Sequence, residues 1–353
     1  MTRFHCNGIA LAALLVLVTG CAGQSTAPSS ESGYAIATRW KLGGSGGWDA
    51  LTFDGSRHRL FITRGDRVDV LDTRTGSILG TVAGLNGAHE VALAPELQRG
   101  YATSGRVNAV VEFDYDNLGG GHEVAVPGGA NPDAILYEPR FRHLFVFNGG
   151  SRNAVVFDAA TMKPLATLPM PGKPEFAVHD GHGRVFVNIE SETGQIVAID
   201  SAKIALIATW SLPGCEEPSG LAFDRHRQRL FSACSNRVLA VTDAVSGRAG
   251  ARLPIGEHPD GAAYDDARRR VLTSNGDGTL SVVPQFSADR YGSTLTLRTQ
   301  RGARTMALDG SNGWVYLVTA DYAPAPAAVE GQARMRPEYV PGSFVVLIVA
   351  PER

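Results

Sequence analysis

The sequence predicts an all-β protein, and three observations carry that prediction. The stretches "DGSRHRLF" (54–61), "EPRFRHLF" (138–145) and "DRHRQRLF" (224–231) are close copies of one another. The residue that closes each Arg-rich turn recurs as Phe61, Tyr101, Phe145, Phe186, Phe231, Leu272 and Tyr316, in steps of 40 to 45 residues. A second column ends "VDVLD" at Asp72, "VVEFD" at Asp114, "AVVFD" at Asp158, "IVAID" at Asp200 and "LAVTD" at Asp243, in steps of 42 to 44. Self-similarity at this period marks a repeat architecture. No stretch beyond the N-terminal leader carries a sustained helical period. Short period-two units of four strands each, repeated seven times, predict a seven-bladed β-propeller of four-stranded antiparallel blades.

The elements follow in chain order. Arg3 gives a positive start, and "IALAALLVLV" (9–18) is an apolar run of ten residues. Such a run is too short to span a bilayer and suits the core of a signal peptide, expected at 1–20. "VTGC" (18–21) resembles the lipobox of bacterial lipoproteins, in which the cysteine becomes the acylated N-terminus. That resemblance implies a lipidated Cys21 and, with Ala22 after it, favours the outer membrane. The protein is then expected to be exported and lipid-anchored on the periplasmic side, with the anchor its only membrane contact. An ordinary secretory signal cut a few residues later is the alternative. The rest of 21–33 is a small, polar tether with little capacity to fold.

The propeller is expected over 34–353. Its third unit shows the strand grammar: "DAILYE" (133–138), "HLFVFN" (143–148), "NAVVFD" (153–158) and "LATLPM" (165–170), split by turns rich in Gly, Pro and Asn. The seventh unit is one strand short. It supplies "TMALD", "WVYLV" and "FVVLIV" (344–349), and the chain then ends. The N-terminal strand at 34–42 stands where an outer strand stands before other units, so it is expected to pair with 344–349 and close the ring. Closure removes edges that would otherwise expose unpaired backbone groups.

The stretches "HPDGAAYDDARRRVL", "EPSGLAFDRHRQRLF" and "VDVLDTRTG" resemble the YVTN-repeat, YncE-like family of bacterial seven-bladed propellers. The resemblance runs from Tyr34 to Val349. The namesake tetrapeptide is absent, and "VFVN" (185–188) comes nearest. The family implies an extracytoplasmic propeller but no shared reaction. WD-repeat propellers fit less well, because no "GH…WD" pairs occur.

In a propeller the innermost strands line a central channel, and the loops leading into them share a face with the loops joining strands two and three. The residues expected at that mouth are Trp48 and Asp49, His89 and Glu90, Asn131 and Asp133, Glu175, Glu217 with Ser219, His258 and Asp260, and Arg301 and Arg304. Carboxylates and imidazoles converging from several blades can hold a divalent metal or supply acid–base groups. Asp, Asn and Ser ahead of strands also cap local turns, and both readings stay open. Two or three of Arg298, Arg301 and Arg304 could hold an anionic group, or they could pair with neighbouring acids such as Asp49 and Asp260.

Beyond the leader two cysteines remain. In an oxidising compartment Cys215 and Cys234 read as a disulfide, since they fall on one face of neighbouring strands in the fifth unit. A reactive or metal-binding thiol is the alternative. The Pro-rich insertion at 320–343 emerges on the mouth face, as a lid, a docking segment or an unstructured loop. With Lys+Arg 33 and Asp+Glu 35, the net charge of −2 argues against nucleic acid as a partner.

No HExxH, CxxC, P-loop or Rossmann motif is present. The favoured expectation is therefore a binding platform for a small ligand or an extracytoplasmic protein, without catalysis and without a cofactor. The alternative is a metal-assisted, lactonase-like hydrolase, in which Asp49, Glu90, Asp133, Glu175 and Asp260 at the channel mouth would supply the ligands of a divalent metal and a base. A quinone-dependent dehydrogenase fits poorly, because the four Trp do not recur in the repeat register.

Overall fold

In the computed structural model, which describes residues 1–2, 32–323 and 338–352, the seven repeats form seven antiparallel sheets. Six follow the chain directly: blade 1 (51–82), blade 2 (91–125), blade 3 (132–169), blade 4 (173–211), blade 5 (218–254) and blade 6 (259–298). Their innermost strands touch in a closed cycle, each meeting the next, and the innermost strand of blade 7, Met306–Asp309, meets that of blade 1, Leu51–Asp54.

Blade 7 is completed from the other end of the chain. Its strands run in the order Met306–Asp309, Trp314–Thr319, Val345–Pro351 and Tyr34–Lys41. Tyr34 pairs with Pro351 and Lys41 with Val345, and the Leu42 amide donates to the Phe344 carbonyl at 3.1 Å. The expected closure by 34–42 is present. Blade 6 departs from the four-strand plan: its third strand runs on to Ser287 and turns back as Arg290–Tyr291, a short fifth strand. The expected signal peptide beyond residue 2, Cys21 and nearly all of the tether lie outside the described residues, as does 324–337 of the insertion.

Each blade is sandwiched between two others, and this explains the burial pattern. The second and third strands of blade 1, Arg59–Thr63 and Val68–Asp72, are buried at every position. Outermost strands, such as Lys163–Pro169, are mostly exposed. Seven apolar clusters fill the seven junctions between neighbouring blades. Phe145 and Phe147 of blade 3, for example, pack on Val185 and Val187 of blade 4. Full burial of such a side chain stabilises by about 1.5–3 kcal/mol.

The near-identical Arg-rich stretches are one turn copied. The Asp54 carboxylate accepts the Ser56 amide at 3.1 Å and the Arg59 guanidinium at 3.0 Å. Glu138 accepts the Arg140 amide, Asp224 the Arg227 amide and Asp265 the Arg268 amide, each at 3.0 Å. The residue before each second strand is left-handed: His58, Arg142, Gln228 and Arg269 have φ of 52–56°. An acid that caps the turn and a left-handed residue that reverses the chain make a tight hairpin. The second acid column does the same work between strands three and four. Asp72 accepts the Arg74 amide at 2.7 Å, and Asp243 accepts the Val245 amide at 2.9 Å. Gly76 and Gly247 close these two turns at positive φ, where a Cβ would also strike Trp40 or Trp210.

Candidate functional site

Counting back five residues from the position that opens the first turn of each blade (Asp54, Ala94, Glu138, Asp180, Asp224, Asp265 and Asp309) gives one position per blade: Asp49, His89, Asp133, Glu175, Ser219, Asp260 and Arg304. The structure places these seven equivalents around one mouth. In blades 3 to 6 the ladder shifts register at this point, between Pro132 and Ala134, Pro174 and Ala177, Pro218 and Leu221, and Pro259 and Gly261. An irregularity at a strand's start re-aims the next side chain, here toward the axis. Asn131, Glu217 and His258, each just before one of these prolines, take positive φ of 53°, 45° and 54°. Backbone bonds lock neighbouring mouths together: the Ala50 amide donates to His89 at 3.1 Å, and the Gly261 amide donates to Arg304 at 2.8 Å.

Neighbouring members of the ring bond to each other. His89 Nδ1 lies 2.8 Å from Asp49 Oδ2 and 3.3 Å from Asp133 Oδ1. Lys173 contacts Glu175, donates to Glu190 at 2.6 Å and lies 3.9 Å from Asp133. Ser219 donates to Asp260 at 2.7 Å, and Arg304 Nε lies 3.1 Å from the other Asp260 oxygen. Ligand atoms of Asp49, His89 and Asp133 all lie within 4.8 Å of one another, a spacing a divalent ion could bridge.

The titration behaviour follows from this crowding. The hydrogen bond to Asp49 raises the His89 pKa above the usual imidazole range, against the effect of burial, and Asp133 adds to it. Burial raises Glu90 to about 8, though the Ile135 amide, donating at 2.8 Å, favours its charged form. Glu90 keeps some solvent contact along the channel but is ringed by protein. Burial also raises Asp133 and Asp260, the latter against Arg304. Burial pushes Glu175 up, and its hydrogen bond with Glu190 adds to that. Glu190 is held low, despite its own burial, by Glu175 and Lys173. The pair thus shares one proton beside the ammonium.

These residues line a cavity of about 540 Å³. Seven carboxyl groups (Asp49, Glu90, Asp133, Glu175, Glu190, Glu217 and Asp260) face it against two permanent cations, Lys173 and Arg304, and two imidazoles, His89 and His258. The structure brings together ten of the expected mouth residues: Asp49, His89, Glu90, Asp133, Glu175, Glu217, Ser219, His258, Asp260 and Arg304. Three lie elsewhere. Trp48 packs at a tilt on Tyr339 and Phe344, with centroids 4.6 and 5.3 Å away, beside a separate apolar pocket. The Asn131 amide donates to Asn108 Oδ1 at 2.8 Å, joining blades 2 and 3. The Arg301 guanidinium sits over the Tyr322 ring, 5.3 Å from its centroid. Lys173 and Glu190 were not foreseen. The alignable series "NPD", "KPE", "EPS" and "HPD" at blades 3 to 6 contains the signal for Lys173.

Cys215 and Cys234 form the expected disulfide, with Cα atoms 5.3 Å apart. It ties the loop carrying Glu217 to the end of the second strand of blade 5. Closing a loop of this size contributes about 3 kcal/mol on the chain-entropy model.

No family model matches this chain, and no curated protein does. Among solved structures 1778 chains match. One is hydrazine synthase from Kuenenia stuttgartiensis, at 16% identity and a TM-score of 0.65, covering 77% of this chain and 92% of that one. The likeness is one of fold. A propeller shared that widely carries no reaction with it, so the function must be argued from the mouth itself.

Proposed function

We propose that this protein is an exported, lipid-anchored propeller of the YncE-like kind that binds a small, positively charged ligand at the axial mouth. One observation carries the reading of the site: seven carboxyl groups face the cavity against two permanent cations. Partial protonation holds that charge in check, at Glu90 and within the Glu175–Glu190 pair. An entering cation offsets the mutual repulsion and draws those protons off, so binding should tighten as pH rises through 7 to 9.

Calorimetric titration with butylammonium chloride and with sodium butyrate tests it. Butylammonium should bind, and Asp49→Asn with Asp133→Asn should weaken it about tenfold or more, or about 1.4 kcal/mol. Butyrate binding as tightly as butylammonium would overturn the reading. The lipid anchor rests on residues 18–21 and is checked by the intact mass of protein taken from its host membrane, which should carry acyl chains on Cys21.

The Asp49–His89–Asp133 spacing favours a second reading, a metal-assisted hydrolase. A metal there would displace the proton that His89 shares with Asp49, so its binding too would strengthen with pH. Elemental analysis of protein purified without chelator separates the two. Stoichiometric metal, lost on Asp133→Ala, supports the hydrolase, and its absence supports the platform.

A further inference from the structure

Below the mouth the channel does not end. A waist of about 160 Å³ shares Ala50, Glu90 and Phe176 with the acidic cavity. A third cavity of about 500 Å³ shares Leu51, Glu90, Ala262 and Met306 with the waist. Its walls are the inward faces of innermost strands, with Phe53, Leu93, Leu136 and Leu308 presenting partly exposed apolar side chains. The exposed parts of these inward-facing side chains form a surface on which a non-polar chain would gain. Glu90 alone lines all three spaces.

We propose that these cavities form one axial passage and that the ligand is a linear alkylammonium, its charged head among the mouth carboxylates and its chain threaded past Glu90 into the apolar chamber. This rests on the cation-binding reading of the mouth. The head is specified by charge complementarity, and the tail by continuity from the acidic chamber to the apolar one. The waist is the smallest of the three spaces, lined by Ala50, Gly261 and Ala262 with Phe176, Leu221 and Met306, and this narrowness favours an unbranched chain. Glu90 is the one ionisable group there.

The test is a calorimetric series at pH 7 with ethyl-, butyl-, hexyl- and octylammonium chlorides, each below its aggregation concentration. Affinity should climb once the chain reaches the waist, by about fourfold per methylene buried. Ala262→Phe, which fills the waist, should collapse the ratio of octyl to ethyl affinity. Leu136→Ser and Leu308→Ser, which make the lower chamber polar while leaving the waist open, should reduce that ratio severalfold. If ethylammonium binds but affinity is flat along the series, the passage is refuted and the cationic mouth stands. If affinity climbs but none of the three variants changes the ratio, the chain binds elsewhere and the proposal also fails. If no ammonium ion binds at all, the reading of the mouth falls, and this inference with it.

Discussion

At the scale of single residues, Glu90 shows how burial decides chemistry. Its carboxyl is raised from 4.5 to about 8 because the channel wall desolvates the charged form. The folded state therefore holds a proton that the unfolded chain releases. Between pH 4.5 and about 8 the native protein binds more protons than the unfolded one, and stability falls as pH rises. Above about 8 the penalty is complete and stays constant. Glu90→Gln removes it, and the new amide oxygen can still accept the Ile135 N–H. The variant should match the parent at pH 5 and exceed it at pH 9 by on the order of 3 kcal/mol, since channel solvent screens part of the full shift. Urea midpoints at the two pH values measure this. An equal gain at both would mean that the benefit is packing and not proton release.

At the scale of strands and turns, what the sequence shows and what it hides have different physical origins. The blades were legible because most of them repeat the same capped hairpins. Asp54 and Asp72 recur in kind for local backbone reasons that any reader of turns can find. The mouth was legible in chemistry but not in register. A strand alternates faces at every residue, so a shift of one position exchanges channel and wall. Trp48 and Asp49 are adjacent, yet only Asp49 reaches the cavity, while Trp48 packs on Tyr339. Arg301 lies only three residues before Arg304 but turns to Tyr322. Glu190 closes the strand Arg184–Glu190, and nothing in "NIESETG" says that it reaches back to Lys173. Such contacts are set by how blades are angled around the axis, which is a property of the ring.

At the scale of the whole molecule, the ring is held shut by one strand from the far end of the chain. Tyr34–Lys41 covers the edge of Val345–Pro351, and among the described residues it is the one strand pairing that joins opposite ends of the chain. The buried Tyr34 also reaches past its own blade, its hydroxyl donating to Asp265 of blade 6 at 3.2 Å. Without this strand, blade 7 would present a free edge beside the buried Val346 and Ile348, a template for pairing with another chain. Blades 7 and 1 would also lose cover at their shared junction, where Trp40 packs with Tyr316. A chain beginning at residue 43 should therefore unfold at a clearly lower urea concentration and run as soluble aggregates on size exclusion. A synthetic peptide of residues 34–42 should restore much of the midpoint, because its backbone groups and Trp40 fill the vacated edge, whereas a scrambled peptide should not. An unchanged midpoint in the shortened chain would show that the ring closes through its cores alone. The shared acidic mouth would then owe nothing to the N-terminal strand.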